Sequence, residues 1–323
     1  MLSALLRVFF LRCSRSKIIE SIVKKTPLAR NISRRFIAGE TKEDAISVVQ
    51  RIFQDGRRAT LDYLGEEALT KQEAFSAVCE YIKLLDVVGQ RLLYTSVSIK
   101  LTSIGLAISE RLCNDYVDLI AKKACALKIP LEVDMEGSKY KDQTIAVFCR
   151  LKDKFPTLKA RIAIQGYLRS TPSDIRELAQ RCANIRLVKG AYDESNEVAI
   201  RDKKNIQEQC IEIMEKLLPG SPYILSYSYL ALGSHDPVLI KWLIDAIKKR
   251  DMPKYSCEFQ MLYGVREDEQ IRLTRDGWNV RVYVPYGNKW FPYFMRRMAE
   301  RPANVCFVIR AIINSLTKTN SPV

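Results

Sequence analysis

Histidine is nearly absent: His235 is the only one in 323 residues, which excludes any metal centre built on two or more imidazoles. Nine cysteines occur, at positions 13, 79, 113, 125, 149, 182, 210, 257 and 306, an odd number with no C-x-x-C pair. That argues against a disulfide framework and a zinc site, so no metal is expected, and it points to a reducing compartment. No G-x-G-x-x-G follows a strand-like run and no G-x-x-x-x-G-K-S/T occurs. The glycine-rich phosphate cradles of Rossmann and P-loop proteins are therefore missing. The apolar run over residues 1–11 is too short to cross a bilayer and is broken by Arg7. There is no internal repeat of roughly 20–50 residues and no low-complexity tract.

What is present suits one large globular unit. The hydrophobic fraction is 47%, ample for a core, and the length is ordinary for a single α/β barrel. The net charge of +15 is unevenly placed: residues 1–35 hold nine Lys or Arg against one acid, Glu20. Basic residues interleaved with Leu, Val, Phe and Ile read as an interfacial amphipathic helix attracted to anionic lipid. Two other readings stay open, a transit peptide and an ordinary basic surface helix. The expected location is cytoplasmic with peripheral membrane association, or mitochondrial if residues 1–35 are a transit peptide.

Residues 36–58 read as helix, with Thr41 as N-cap. Short apolar or alternating runs then recur at 59–64, 97–102, 131–135, 161–167, 185–192, 223–232, 255–262 and 280–286. Helical stretches at 67–89, 115–128, 144–154, 173–182, 196–218, 237–249 and 267–276 separate them, and 292–301 fills the last slot. Eight alternations of strand and helix predict a distorted (β/α)8 TIM-like barrel preceded by N-terminal helices, with an open doubly wound sheet as the alternative. The expected division is an N-terminal helical arm over 1–58, the barrel over 59–316 and a disordered tail over 317–323.

Barrel active sites lie at the carboxyl ends of the strands. There this sequence places Lys100, Asp134 with Glu136, Gln165 with Tyr167, Arg186 with Lys189 and Tyr192, Ser234 with His235, Glu258 with Gln260, and Arg281 with Tyr283. Lys100, Arg186, Arg296 and Arg297 would give the mouth a positive potential suited to an anionic ligand, and Asp134 is a natural partner for Lys100. In the last helix, bounded by Pro292 and Pro302, helical spacing puts Tyr293, Arg296, Arg297 and Glu300 on one stripe and turns Phe294, Met295 and Met298 away. Two guanidinium forks on that stripe could grip a carboxylate, although such a stripe also reads as a solvated charged face.

Four stretches carry a resemblance when taken together: Ile185-Arg186-Leu187-Val188-Lys189-Gly190-Ala191-Tyr192, Glu258-Phe259-Gln260-Met261-Leu262-Tyr263-Gly264, Arg281-Val282-Tyr283-Val284-Pro285-Tyr286-Gly287 and Tyr293-Phe294-Met295-Arg296-Arg297-Met298-Ala299-Glu300. In this order they resemble the motifs of the proline dehydrogenases, from about Phe36 to Ala311, and the entry Phe36-Ile37-Ala38-Gly39-Glu40-Thr41 is similar to stand-alone bacterial members. The resemblance implies a distorted barrel that binds FAD without a Rossmann loop and oxidises L-proline to Δ1-pyrroline-5-carboxylate by hydride transfer to flavin N5. It implies that Arg296 and Arg297 clamp the proline carboxylate, buttressed by Glu300. Tyr283 would pack on the ring, Tyr192 would shape the pocket, and Lys100 with Asp134 would form an ion pair opposite. Gln165, Arg186, Val188, Gly190, Ser234, His235 and Leu262 would contact the flavin or its phosphates. The implied partners are a membrane quinone as electron acceptor and a separate pyrroline-5-carboxylate dehydrogenase. Ser234 and Asp236 depart from the family's usual residues, which leaves the role of Asp236 open.

Two rival readings remain: a barrel acting on a phosphorylated sugar, which lacks the glycine-rich turn after the seventh and eighth strands, and a basic nucleic-acid-binding protein. The second is disfavoured because the excess charge is terminal and no nucleic-acid motif appears.

Overall fold

Strand and helix alternate along the chain because buried β-branched runs are separated by well-capped amphipathic segments. The structure is a computed structural model that describes residues 10, 13, 16–91, 94–181, 183–219 and 229–300. Helices α1 (Lys17–Lys25), α2 (Pro27–Ser33) and α3 (Lys42–Gln54) precede β1 (Arg58–Tyr63). There follow α4 (Lys71–Gln90), β2 (Thr95–Ile99), α5 (Glu110–Leu127), β3 (Leu131–Val133), α6 (Lys141–Lys154), β4 (Ala160–Gln165), α7 (Thr171–Gln180) and β5 (Asn184–Val188). Then come α8 (Lys203–Leu217), β6 (Leu230–Gly233), α9 (Pro237–Lys249), β7 (Cys257–Leu262), α10 (Glu267–Arg275), β8 (Asn279–Tyr286) and α11 (Phe291–Glu300). The eight strands are parallel and close into a barrel in chain order. The open doubly wound alternative is thereby excluded.

The helix starts follow from side-chain capping. Thr41 Oγ1 accepts from Asp44 N at 3.1 Å while Asp44 Oδ2 accepts from Thr41 N at 3.2 Å, a reciprocal box that satisfies two orphan donors. Thr70 and Glu73 do the same for α4. The helix expected over 36–58 therefore begins only at Lys42. The residues before its cap run along the last strand instead, with Ala38 N donating to Pro285 O at 2.9 Å. The strand expected over 185–192 stops at Val188, and the helix expected from 196 starts at Lys203. Of the expected strand 223–232, β6 supplies the end; residues 223–228 lie outside the described residues, as does the tail expected over 317–323.

Period-two alternation puts Leu61, Val97, Ile99, Leu131, Val133, Ile162, Leu187, Phe259 and Val282 against the helices in one continuous core. The barrel interior is ionic. Glu132 accepts from Arg186 at 3.0 Å, Arg161 at 3.1 Å, Ser96 at 2.8 Å and Thr60 at 3.0 Å. Glu258 accepts from Arg281 at 2.8 and 3.1 Å and from Arg161 at 2.9 Å. Buried charges are tolerable only when paired and hydrogen-bonded, and these are. Glu258 and Arg281, expected at the mouth, belong instead to this lower layer: Arg281 is in register with Arg58 at the start of β1 and donates to Ala59 O.

A second apolar cluster fastens the N-terminal helices to α11. Phe10, Val23, Ile32, Phe36 and Ile37 pack with Trp290, Phe291, Phe294, Met295 and Met298. The fit is close at Gly264, whose φ is +71° and where a Cβ would stand 1.5 Å from the carbonyl oxygen of Arg35. Only glycine meets both conditions. Among the described residues no helix is long and apolar enough to cross a membrane.

Candidate active site

Above the ionic layer, at the carboxyl ends of the strands, a second set of charges converges. The Lys100 backbone is anchored where β2 ends, its N–H donating to Tyr81 Oη at 3.3 Å and its carbonyl accepting from Ser103 Oγ at 2.7 Å. Its ammonium lies between two carboxylates: it forms a close ion pair with Asp62 of β1 and stands 3.2 Å from Asp134 Oδ2. Asp134, just past β3, also accepts from Tyr283 Oη at 2.6 Å and Ser98 Oγ at 2.7 Å, and pairs closely with Arg186 of β5. The Arg186 guanidinium lies 5.2 Å from the Tyr283 ring centre. Lys100 and Asp134 are thus together as the sequence suggests, but Asp134 is shared among four partners and Asp62 is the closer acid.

These contacts set the protonation states. Burial alone would raise Asp134, yet Arg186 and Lys100 hold its carboxyl down at about 2. Asp62 goes the other way, because burial outweighs its ion pair with Lys100 and raises it. Lys100 is buried, which by itself would lower its ammonium, but Asp62, Tyr283 and Asp134 hold it well above its ordinary value. Burial, with Asp134 and Asp62 beside it, pushes the Tyr283 phenol well up. At neutral pH the floor holds a protonated lysine, an intact phenol and an ionised Asp134.

A cavity of about 1300 Å³ opens over this floor. Lys100, Asp134, Arg186, Val188, Gly190, Tyr192, Ser234, His235, Leu262, Tyr283, Arg296 and Arg297 all line it. Gln165 is set just behind the wall, its Nε2 donating to Met135 O at 3.2 Å and Glu136 O at 2.8 Å. In α11, Tyr293, Arg296 and Arg297 face the cavity while Phe294, Met295 and Met298 pack on the N-terminal helices. Arg297 is only 8% exposed, with its guanidinium 5.0 Å from the Tyr293 ring centre. The reading of this stripe as a solvated face fails. Glu300 is the last residue of α11, and its side chain lies outside the described part of the structure.

The far side is built by the loops after β5 and β6. His235 Nε2 accepts from Leu262 N at 2.9 Å, which assigns the ring as neutral with its proton on Nδ1. Asp236 caps α9 by accepting from Val238 N at 3.0 Å, and it holds Lys189 Nζ at 2.9 Å and Gln207 Nε2 at 2.8 Å. Asp236, itself on the cavity wall, thereby holds Lys189 beside it. The wall residues not anticipated from sequence include Asp62, and Arg35 with Phe36 from the N-terminal arm. Asp62 carries a faint signal, a second polar residue alternating with Thr60 inside an apolar strand.

A family model described as proline dehydrogenase matches residues 45–310. Proline dehydrogenase 1 of Bacillus subtilis (strain 168) is 38% identical over 309 residues, which cover 96% of this chain and 99% of that protein. Proline dehydrogenase of Deinococcus radiodurans is 33% identical over 286 residues, 88% of this chain and 90% of the relative. Among solved structures, proline utilization A from Bdellovibrio bacteriovorus, inactivated by N-propargylglycine, matches in fold with a TM-score of 0.78 at 23% identity. That match covers 87% of this chain and 33% of the larger one.

Proposed function

The chain belongs to the proline dehydrogenase family and oxidises proline, and from that premise we propose that the cavity at the barrel mouth holds FAD and L-proline side by side and yields Δ1-pyrroline-5-carboxylate. The observation that carries this reading is the convergence of Arg296 and Arg297 from one side with Lys100, Asp134 and Tyr283 from the other onto one cavity. The cavity is larger than a single small substrate needs.

The donor set suits a flavin. Gln165 Oε1 and Arg186 Nε are buried without a hydrogen-bond partner in the protein, which leaves both free to bond a group bound beside them. Ser234 and Lys189 add polar and cationic contacts on the same side. Gln165, Arg186, Val188, Gly190, Ser234, His235 and Leu262 would hold FAD there. When bound, FAD supplies the hydride acceptor.

The chain's own task is orientation. Arg296 and Arg297 grip the substrate carboxylate bidentately, with Glu300 as their support. Tyr283 sets the ring against the floor, and Tyr192 closes the opposite side. Lys100 and Tyr283 keep their protons at neutral pH and Asp134 stays ionised, so these three groups serve to fix the substrate.

Helix α1 exposes Ile18 (75%) and Ile22 (59%) beside Lys17 and Lys25, a face that suits shallow docking on an anionic bilayer where a quinone accepts the electrons. The chain is then a cytoplasmic, peripherally bound protein whose product passes to a separate dehydrogenase. Replacing both isoleucines by Ser should abolish binding to anionic vesicles; undiminished binding would remove α1 from this role. The reading as a whole is tested by purifying the protein with FAD. A yellow protein whose blue-light absorbance bleaches on anaerobic addition of L-proline is expected, and a protein that neither takes up FAD nor bleaches would overturn it.

A further inference from the structure

Residues 189–202 join β5 to α8 as a strap that contains no helix and only a single bridge, Leu168 with Ala199. The strap carries Tyr192 over the cavity. Tyr192 is 36% exposed, so packing alone does not fix it, and its position depends on what ties the strap down.

Two sets of bonds do so. On the near side Tyr167 Oη donates to Tyr192 O at 3.2 Å, Ile200 N donates to Tyr167 O at 2.8 Å and Arg169 Nε donates to Asn196 O at 2.9 Å. These ties run to the loop after the adjacent strand, β4. The far side has a different anchor. The Glu194 carboxylate accepts from Ser138 N at 2.7 Å and from Ser138 Oγ at 2.6 Å, while Arg201 Nη2 donates to the Glu194 carbonyl at 2.6 Å. This bridge passes over β4 and reaches the loop after β3.

Both ends of the bridge stand two residues from a cavity wall. Glu194 follows Tyr192 by two positions, and Ser138 follows Glu136, which lines the cavity and is itself fixed by Thr102 Oγ1 at 2.6 Å. We propose that Glu194 is a positioning residue of the active site: its paired bonds to Ser138 hold Tyr192 in place as one wall of the proline pocket. The bonds are charge-assisted, and their partner is a backbone N–H as well as a hydroxyl, so they fix direction as well as distance. Glu194 is not among the residues that line the cavity; it acts through Tyr192.

This inference rests on the proposed use of the cavity for proline, and the experiment separates the two. Steady-state kinetics with L-proline are measured on the FAD-loaded wild type, Glu194→Ala, Tyr192→Ala and the double variant, with flavin content and melting temperature recorded for each. Glu194→Ala is expected to raise KM roughly tenfold, with kcat changed less than about twofold. In the Tyr192→Ala background the same substitution should change KM no further, because the residue it positions is gone. Ser138→Ala should move KM in the same direction by less, since the backbone donor remains, and Glu197→Gln, exposed on the same strap, should not move it. Glu194→Gln serves if the alanine variant does not fold. An unchanged KM, or an equal increase in the Tyr192→Ala background, overturns the proposal. A wild type that shows no proline-dependent flavin reduction would instead defeat the reading of the cavity.

Discussion

The Tyr283 hydroxyl donates to Asp134 Oδ2 at 2.6 Å, tying β8 to the end of β3. This bond aligns an aromatic ring with the floor on which Lys100 and Arg186 also rest. Tyr283→Phe keeps the ring and removes the donor. Asp134 retains Lys100, Arg186 and Ser98, so the fold should survive with little change in melting temperature. The catalytic efficiency kcat/KM for proline should fall by about 1.5–3 kcal/mol, the usual range for a hydrogen bond to a charged group. Steady-state kinetics beside a thermal melt check this; full efficiency would mean that the bond does not orient the ring.

Acid should unfold the barrel through its interior. Asp134 and Glu258 both sit at about 2 in the folded state, from ordinary values of 3.8 and 4.5. Burial opposes this in both, and Arg186 with Lys100, and Arg281 with Arg161, overcome it. A depressed folded value means that the stability these groups contribute is complete above about pH 4.5 and is lost as pH falls towards about 2. Asp62, raised by burial, has the opposite sign: what its protonated form contributes is lost as pH rises through its folded value. Denaturant titrations from pH 2 to 7 should show stability rising across the lower window. Glu258→Gln, which leaves Arg281 and Arg161 undercompensated, should flatten that rise and cost about 3–5 kcal/mol at neutral pH. A pH dependence identical to wild type would contradict the assignment.

The barrel was legible because apolar runs recur with polar residues at their ends and several helices start at a side-chain cap, as at Thr70, Ser109, Asp202 and Asp236. Residues 237–249 were bounded correctly since Asp236 caps and Pro237 opens that helix. Helix α11 was legible because Pro292 sits in its first turn. Asp62 was not, because its alternation with Thr60 reads as an ordinary half-exposed strand. Only the register of Asp62 with Ser98 brings it beside Lys100. Arg35 and Phe36 were hidden for another reason: their place on the cavity depends on packing against α11, far along the chain, which no local periodicity encodes.

That packing leads to a test at Gly264. With φ at +71° and the Arg35 carbonyl oxygen 1.5 Å from where a Cβ would stand, Gly264→Ala should add about 1–2 kcal/mol of backbone strain and displace the N-terminal arm. Limited proteolysis should then cut within residues 16–36 while the barrel persists. Wild-type resistance to cleavage would show that the arm does not depend on this contact.

The central claim is that the α11 arginines hold proline by its carboxylate. The measurement is the ratio of kcat/KM for L-proline to that for pyrrolidine, the same ring without the carboxylate, in wild type and Arg297→Met. Wild type should favour proline strongly. The variant should lose about 2–5 kcal/mol of that preference, chiefly through KM, because Arg297 is buried at the cavity wall. An unchanged ratio would contradict the clamp.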